Sequence, residues 1–151
     1  MSLRYRYWLS RSSCPILTLG GRWVRPQPLV GVNVVGPMGS RHIIGCLDCA
    51  ADDTIFSEKL TAQLGIDLTG APTGTARGVG MVPVPLRFAQ ITLQLSGGVE
   101  VREWRAWAGF TSARLSRPLF GFAGFLQYFT STFWGDLEEF ELTVNRLYPG
   151  T

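Results

Sequence analysis

Apolar and polar residues alternate between Leu86 and Leu95, where Phe88, Ile91, Leu93 and Leu95 stand among polar neighbours. A period of two is the mark of a half-buried strand. The same pattern runs from Leu29 to Val35, just after Pro26 and Pro28. The chain has 151 residues, 18 of them Gly and 9 Pro, far more punctuation than a helical bundle tolerates. The expectation is therefore a single, mostly β domain, large enough to hold its own core. An apolar fraction of 46% with 17% charged residues excludes a disordered chain.

The other elements follow from the same signals. Gly36-Pro37-Met38-Gly39-Ser40 turns the first strand back into Arg41–Leu47, which ends at Asp48. Ser57 to Leu64 reads as a two-turn helix with Ser57 as N-cap, Leu60 and Leu64 on one face and Gly65 as its stop. Residues 70–83 carry Gly70, Gly74, Gly78 and Gly80, a composition that suits an exposed, mobile hairpin. Ser96-Gly97-Gly98 makes a second hairpin turn, from which Val99 to Phe110 returns. Pro118 to Gly121 is a short apolar strand and Phe122 to Phe129 a second short helix. Thr130–Trp134 and Glu139–Val144 close the chain as a hairpin whose last strand, Phe140 to Val144, offers edges for a second copy. Trp104, Trp107 and Trp134 fall in strand patterns and are read as packing residues.

Charge is unevenly placed. Residues 1–25 hold Arg4, Arg6, Arg11, Arg22 and Arg25 and no acid, whereas the whole chain is only +3. The first 22 residues read as a basic, disordered leader, with the folded domain at 23–151. The rest of the chain is slightly acidic, so its basic balance does not point to nucleic acid. No apolar run is long enough to span a membrane, and Arg11, Ser12 and Ser13 interrupt any secretion signal. An odd set of three cysteines, Cys14, Cys46 and Cys49, fits a reducing compartment, and a cytoplasmic location is expected.

Cys46-Leu47-Asp48-Cys49 is a CxxC, and His42 lies nearby. Strand alternation puts the two thiols on opposite faces and there is no second CxxC, so neither metal nor cofactor is expected. His42, the one histidine, has no partners for a Ser-His or Cys-His triad. Phosphate-loop and dinucleotide fingerprints are lacking as well.

One segment combines several chemical signals. In His42-Ile43-Ile44-Gly45-Cys46-Leu47-Asp48-Cys49-Ala50-Ala51-Asp52-Asp53-Thr54-Ile55-Phe56, an apolar strand delivers a carboxylate at its end, followed by small residues and then a helix. This resembles the active-site segment of retropepsin-like aspartic proteases, an apolar strand leading into Asp-Thr/Ser-Gly-Ala. Pro118 to Leu126, with Gly121 after an apolar pair, is similar to that family's second hallmark. The Gly-rich stretch at 74–80 falls where the family keeps its flap, and the chain's end resembles small bacterial members. The resemblance covers about residues 26–150.

It implies a closed acid-protease barrel with two short helices, working as a homodimer that cuts polypeptide substrate. Asp48 is the implied catalytic residue, and Cys49, Ala50, Ala51 and Gly121 its loop supports. Asp52, Asp53, Gly78, Val79, Gly80 and Met81 are implied to contact substrate. The physical logic requires two carboxylates that share one proton around a water. Asp67-Leu68-Thr69-Gly70-Ala71 is a near miss for a second loop, so the second Asp48 is expected from another copy of the chain. Neither nucleic acid nor membrane is expected as a partner.

The sequence departs from the family at three places. Cys49 stands where Thr or Ser is usual, and a thiol is a poorer hydrogen-bond partner across a dimer. Ala50 stands where Gly is usual, which brings a Cβ to the site. Phe122 replaces an Arg, so Asp52 needs another cation such as Arg77 or Arg87. A degenerate relative that binds peptide without cutting it, and a plain structural β-domain, are the alternatives.

Overall fold

The computed structural model describes residues 2–151. The chain begins with β1 (Ser2–Arg6), β2 (Trp8–Ile16) and β3 (Arg22–Gln27). It continues through β4 (Leu29–Gly36), β5 (Gly39–Leu47), β6 (Ile55–Ser57) and a single α-helix, α1 (Lys59–Leu64). Then follow β7 (Thr73–Arg77), β8 (Pro83–Gly97), β9 (Glu100–Thr111) and β10 (Leu119–Phe120). β11 (Phe129–Trp134) and β12 (Glu139–Val144) end it.

A closed barrel forms because β4 pairs on both sides. The order β4-β5-β10-β6-β9-β8 returns to β4 through Val32↔Leu95 to Val35↔Thr92. Closure pairs the edges of these six strands with each other, while β7 extends β8 outside the ring. Alternation then fills the interior: Val32, Val34, Leu93 and Leu95 point inward and are fully or almost fully buried. Stacked rings complete the core: Phe120 lies 4.7 Å from Phe125, which in turn lies 5.4 Å from Trp104. Trp104 lies edge-on to Phe125 and Phe129, and its Nε1 donates to the Gly124 carbonyl at 2.9 Å. Trp134 is partly exposed beneath the Arg4 guanidinium, and Trp107 is exposed rather than packed.

The helix ends as its sequence dictates, at Gly65 with φ +69. Its start differs by a residue from the sequence expectation. Glu58 takes the cap position, while Ser57 Oγ still accepts from Lys59 N at 3.3 Å.

The second expected helix does not form. Residues 122–128 make a tight turn that ends in a 3-10 turn, Leu126–Tyr128. Gly124 adopts φ +87, which breaks a right-handed helix, and its N–H goes to Gln127 Oε1 at 2.7 Å instead of a helical carbonyl.

The N-terminal residues are the larger correction. Residues 2–22 are not a disordered leader: β1 pairs along its length with β12, from Ser2↔Thr143 to Arg6↔Glu139. Alternation again explains it, since Leu3 is buried against Gly97 and Tyr5 stacks on Phe140 at 5.2 Å. Burial pushes the Tyr5 hydroxyl up to about 12. Arginines at alternate positions masked this strand, because Arg4 faces out to ion-pair with Glu139. As a result β12 is the middle strand of β1-β12-β11 and has no free edge, contrary to expectation.

Leu3→Ala leaves a cavity in this sheet and should cost about 2–4 kcal/mol. Urea denaturation checks it; a dispensable leader would show no shift in the midpoint.

Candidate active site

The structure carries Asp48 at the mouth of the barrel, at the end of β5. Two strands hold that end in place. β5 runs parallel to β10 with Leu119↔Cys46 and Phe120↔Leu47 in register, and Asp48 N donates to the Phe120 carbonyl at 3.1 Å. The chain then turns sharply, with Ala51 N donating to the Asp48 carbonyl at 3.1 Å. Ala50 N donates to Asp48 Oδ1 at 3.0 Å, which fixes the carboxylate against its own loop. Among the described residues, Oδ2 has no hydrogen-bond donor.

A second layer of backbone bonds clamps residues 51–54 to 121–123. Phe122 N donates to Ala51 O at 2.8 Å and Ala123 N to Asp52 O at 2.8 Å. Thr54 is fully buried and gives both its N–H, at 3.1 Å, and its hydroxyl, at 2.9 Å, to the Ala123 carbonyl. The clamp closes only because position 121 is glycine. A Cβ there would run into the carbonyl of Asp53 and meet Ala51 O at 2.7 Å. Gly121 therefore allows the two segments to meet. Thr54 holds them together and was missed, although a Thr directly after an Asp pair was a visible signal.

Around this loop the side chains differ in character. Cys49 and Ala50 are exposed, and Asp52 is exposed with no ion-pair partner among the described residues. Arg87 does not serve Asp52, because its guanidinium binds Glu58 at 2.7 Å. Asp53 is partly buried; burial, with a lesser contribution from Asp52, raises its carboxyl above the ordinary range. Burial and the Asp48 charge likewise push the Cys46 thiol up, against an opposing pull from Arg117.

The other sequence candidates separate clearly. Asp67 lies in an exposed loop, where Oδ1 accepts from Thr69 N at 2.8 Å. That is a local turn, not a second strand-end carboxylate. His42 pairs across the hairpin with Asn33 Oδ1 at 3.1 Å and lies over Gly31. No group of three or more His, Cys, Asp or Glu among the described residues could hold a metal ion.

Gly78, Val79, Gly80 and Met81 form the tip of the β7–β8 hairpin, exposed to solvent. Met81 N donates to Gly78 O at 3.1 Å, Gly80 takes φ +92 and Met81 φ +60. Within one chain no hydrogen bond joins this tip to the Asp48 loop. A pocket of about 500 Å³ lies elsewhere, at the root of the same hairpin between Pro37, Ile66, Phe88 and Trp107.

No protein-family model matches the chain, and no curated protein matches it. Among solved structures it is similar to the crystal structure of a retropepsin-like aspartic protease from Rickettsia conorii, with a TM-score of 0.53 at 14% identity. The match covers 94% of this chain and 91% of that one. The fold is thus retropepsin-like over nearly its whole length. No helix among the described residues is long and apolar enough to cross a membrane.

Asp53 gives this site a pH signature. Its raised folded-state pKa means that the fold disfavours the ionised carboxylate. That penalty is fully present above the folded pKa and is relieved as pH falls through it toward the unfolded value of about 3.9. Asp53→Asn should therefore stabilise the protein at neutral pH, with the gain shrinking in acid and gone below the unfolded value. Thermal melts of both proteins across that range test it; a gain that grows in acid would contradict it.

Proposed function

We propose that the protein is an aspartic endopeptidase that works as a homodimer, with one Asp48 from each copy. The observation that carries this reading is the clamped strand-end carboxylate: Asp48 is oriented by Ala50 N–H at 3.0 Å and leaves its outer oxygen open. One chain supplies one such group, since Asp67 is spent on a local turn. Two of them at a two-fold axis share a proton, because like charges at about 3 Å cannot both ionise. The ionised carboxylate takes a proton from water as that water attacks the scissile carbonyl. The protonated one donates a hydrogen bond to the carbonyl oxygen. No covalent intermediate is needed, and the pair titrates as a unit.

The remaining roles follow from this arrangement. The hairpin tip at 78–81 closes over an extended peptide, which pairs as a strand between tip and floor. Met81 supports that role: a non-glycine residue at φ +60 carries a cost of roughly 1 kcal/mol, which glycine would avoid. Asp52 and Asp53, which follow Asp48 on the same loop, are assigned to substrate backbone or a basic side chain. Association uses the outer edges of β1 and β11, the open sides of the terminal sheet. Cys49 faces solvent in the single chain and meets its counterpart at the axis.

A second reading rests on the same loop. Cys49 and Ala50 replace a strong hydrogen-bonding group and a glycine, and a chain so altered can bind peptide in the cleft while cutting it slowly or not at all.

Cleavage of a peptide library at mildly acidic pH separates the two. Asp48→Asn should bring cleavage to background and leave a dimeric mass in light scattering. Cys49→Thr with Ala50→Gly should raise turnover, the hydroxyl alone contributing on the order of 1 kcal/mol. An Asn variant that cuts as well as the parent, or a fully active monomer, refutes the peptidase reading. If neither the parent nor the double variant cuts, the peptide-binding reading replaces it.

A further inference from the structure

The barrel and its mouth make no use of the hairpin β2–β3. Its two strands pair only with each other, from Trp8↔Gln27 to Ile16↔Arg22, and form a separate two-stranded sheet. A ribbon of this kind has little interior: Ile16 is buried, but Trp8 is 51% exposed, Trp23 53% and Leu17, at the tip, 91%. Leu9 is half-exposed beside them. Isolated exposed apolar residues are ordinary, but here Trp8 and Trp23 share one face of the ribbon with Arg25, Leu9 and Arg11 share the other, and Leu17 stands at the tip, so both faces and the tip read as an interaction surface.

Charge decides what kind of surface it meets. Residues 1–25 carry five arginines and no acid. Arg4 and Arg22 are neutralised within the chain by Glu139 and Glu138. Arg6, Arg11 and Arg25 have no acidic partner among the described residues, and the last two lie on the hairpin itself. The ribbon thus offers an aliphatic tip, Leu17-Thr18-Leu19, two half-exposed indoles and free guanidinium groups. Nucleic acid would meet the guanidinium groups and stack on indoles, but it has no use for an aliphatic tip. A second copy offers only scattered acids such as Asp52 to match, because Glu58, Glu138 and Glu139 are already paired in cis. An anionic bilayer accommodates all three: leucines below the headgroups, indoles at that level and guanidinium groups on lipid phosphates.

We propose that the β2–β3 hairpin docks the protein on an anionic lipid surface, with Leu17 and Trp23 inserted and Arg11 and Arg25 on the headgroups. This reverses the expectation of no membrane partner, which rested on the lack of a spanning segment. Docking of a ribbon needs none. The inference is independent of the peptidase reading.

The test is co-sedimentation of the full chain with phosphatidylcholine vesicles, with and without phosphatidylglycerol. Binding should require phosphatidylglycerol and weaken as salt rises. Arg11→Gln and Arg25→Gln should each lower the partition coefficient about fivefold. Leu17→Ser with Trp23→Ser should abolish sedimentation while leaving the melting temperature unchanged, since both side chains are solvent-exposed. Lipids brominated along the acyl chain should quench parent fluorescence more than that of Trp23→Phe. Binding that survives the double substitution, equal binding to neutral vesicles, or none to either, overturns the proposal. So does an oligonucleotide that displaces the protein from vesicles, or a dimeric mass lost only in the double variant.

Discussion

Gly121 lies against the carbonyls of Ala51 and Asp53 with no space for a side chain, and much of the structure is arranged around that contact. It lets the turn after β10 approach the loop after β5 closely enough for backbone bonds from Asp48, Phe122, Ala123 and Thr54 to join them. Those bonds hold a polar loop at the end of a barrel whose interior is apolar and rich in aromatic rings. Without them the loop's amides would be buried and unpaired, each at about 1–3 kcal/mol. With them, Asp48 is presented by rigid elements rather than by a flexible turn, which is what a catalytic or binding carboxylate requires.

The barrel contributes in a different way. Closure through β4 and β8 ties the strand ending at Asp48 to the long hairpin from which the β7–β8 tip projects. Phe120 links β5 to the core: its ring lies over Gly45 on β5 and stacks on Phe125, which packs edge-on to Trp104 of β9. Packing of the core and placement of the carboxylate are therefore a single problem. A change that loosened the ring stack would disturb the loop as well.

Much of this was legible from residue order. Alternation located β4, β5, β8 and β9, and the apolar strand into Asp48 with Gly121 downstream marked both halves of the clamp. Two parts were not legible, each for a local reason. β1 carries arginines at alternate positions, so its charge suggested a solvated leader, yet the intervening positions face inward, with Leu3 buried and Tyr5 partly buried. The stretch after Phe122 has helical composition, but Gly124 at φ +87 and its bond to Gln127 turn the chain the other way. Partners are harder still to read: Arg87 was a reasonable cation for Asp52, and only the fold brings it to Glu58 instead.

The central claim is that a site left half-built by one chain is completed by a second. It is tested most directly by a crystal structure of the assembled protein, in which the distance between the two Asp48 carboxylates is measured. The account predicts a separation of about 3 Å across a two-fold axis, close enough to share a proton and hold one water. Asp48 residues that face solvent on opposite sides of the assembly, or lie too far apart for one water to bridge, would contradict it.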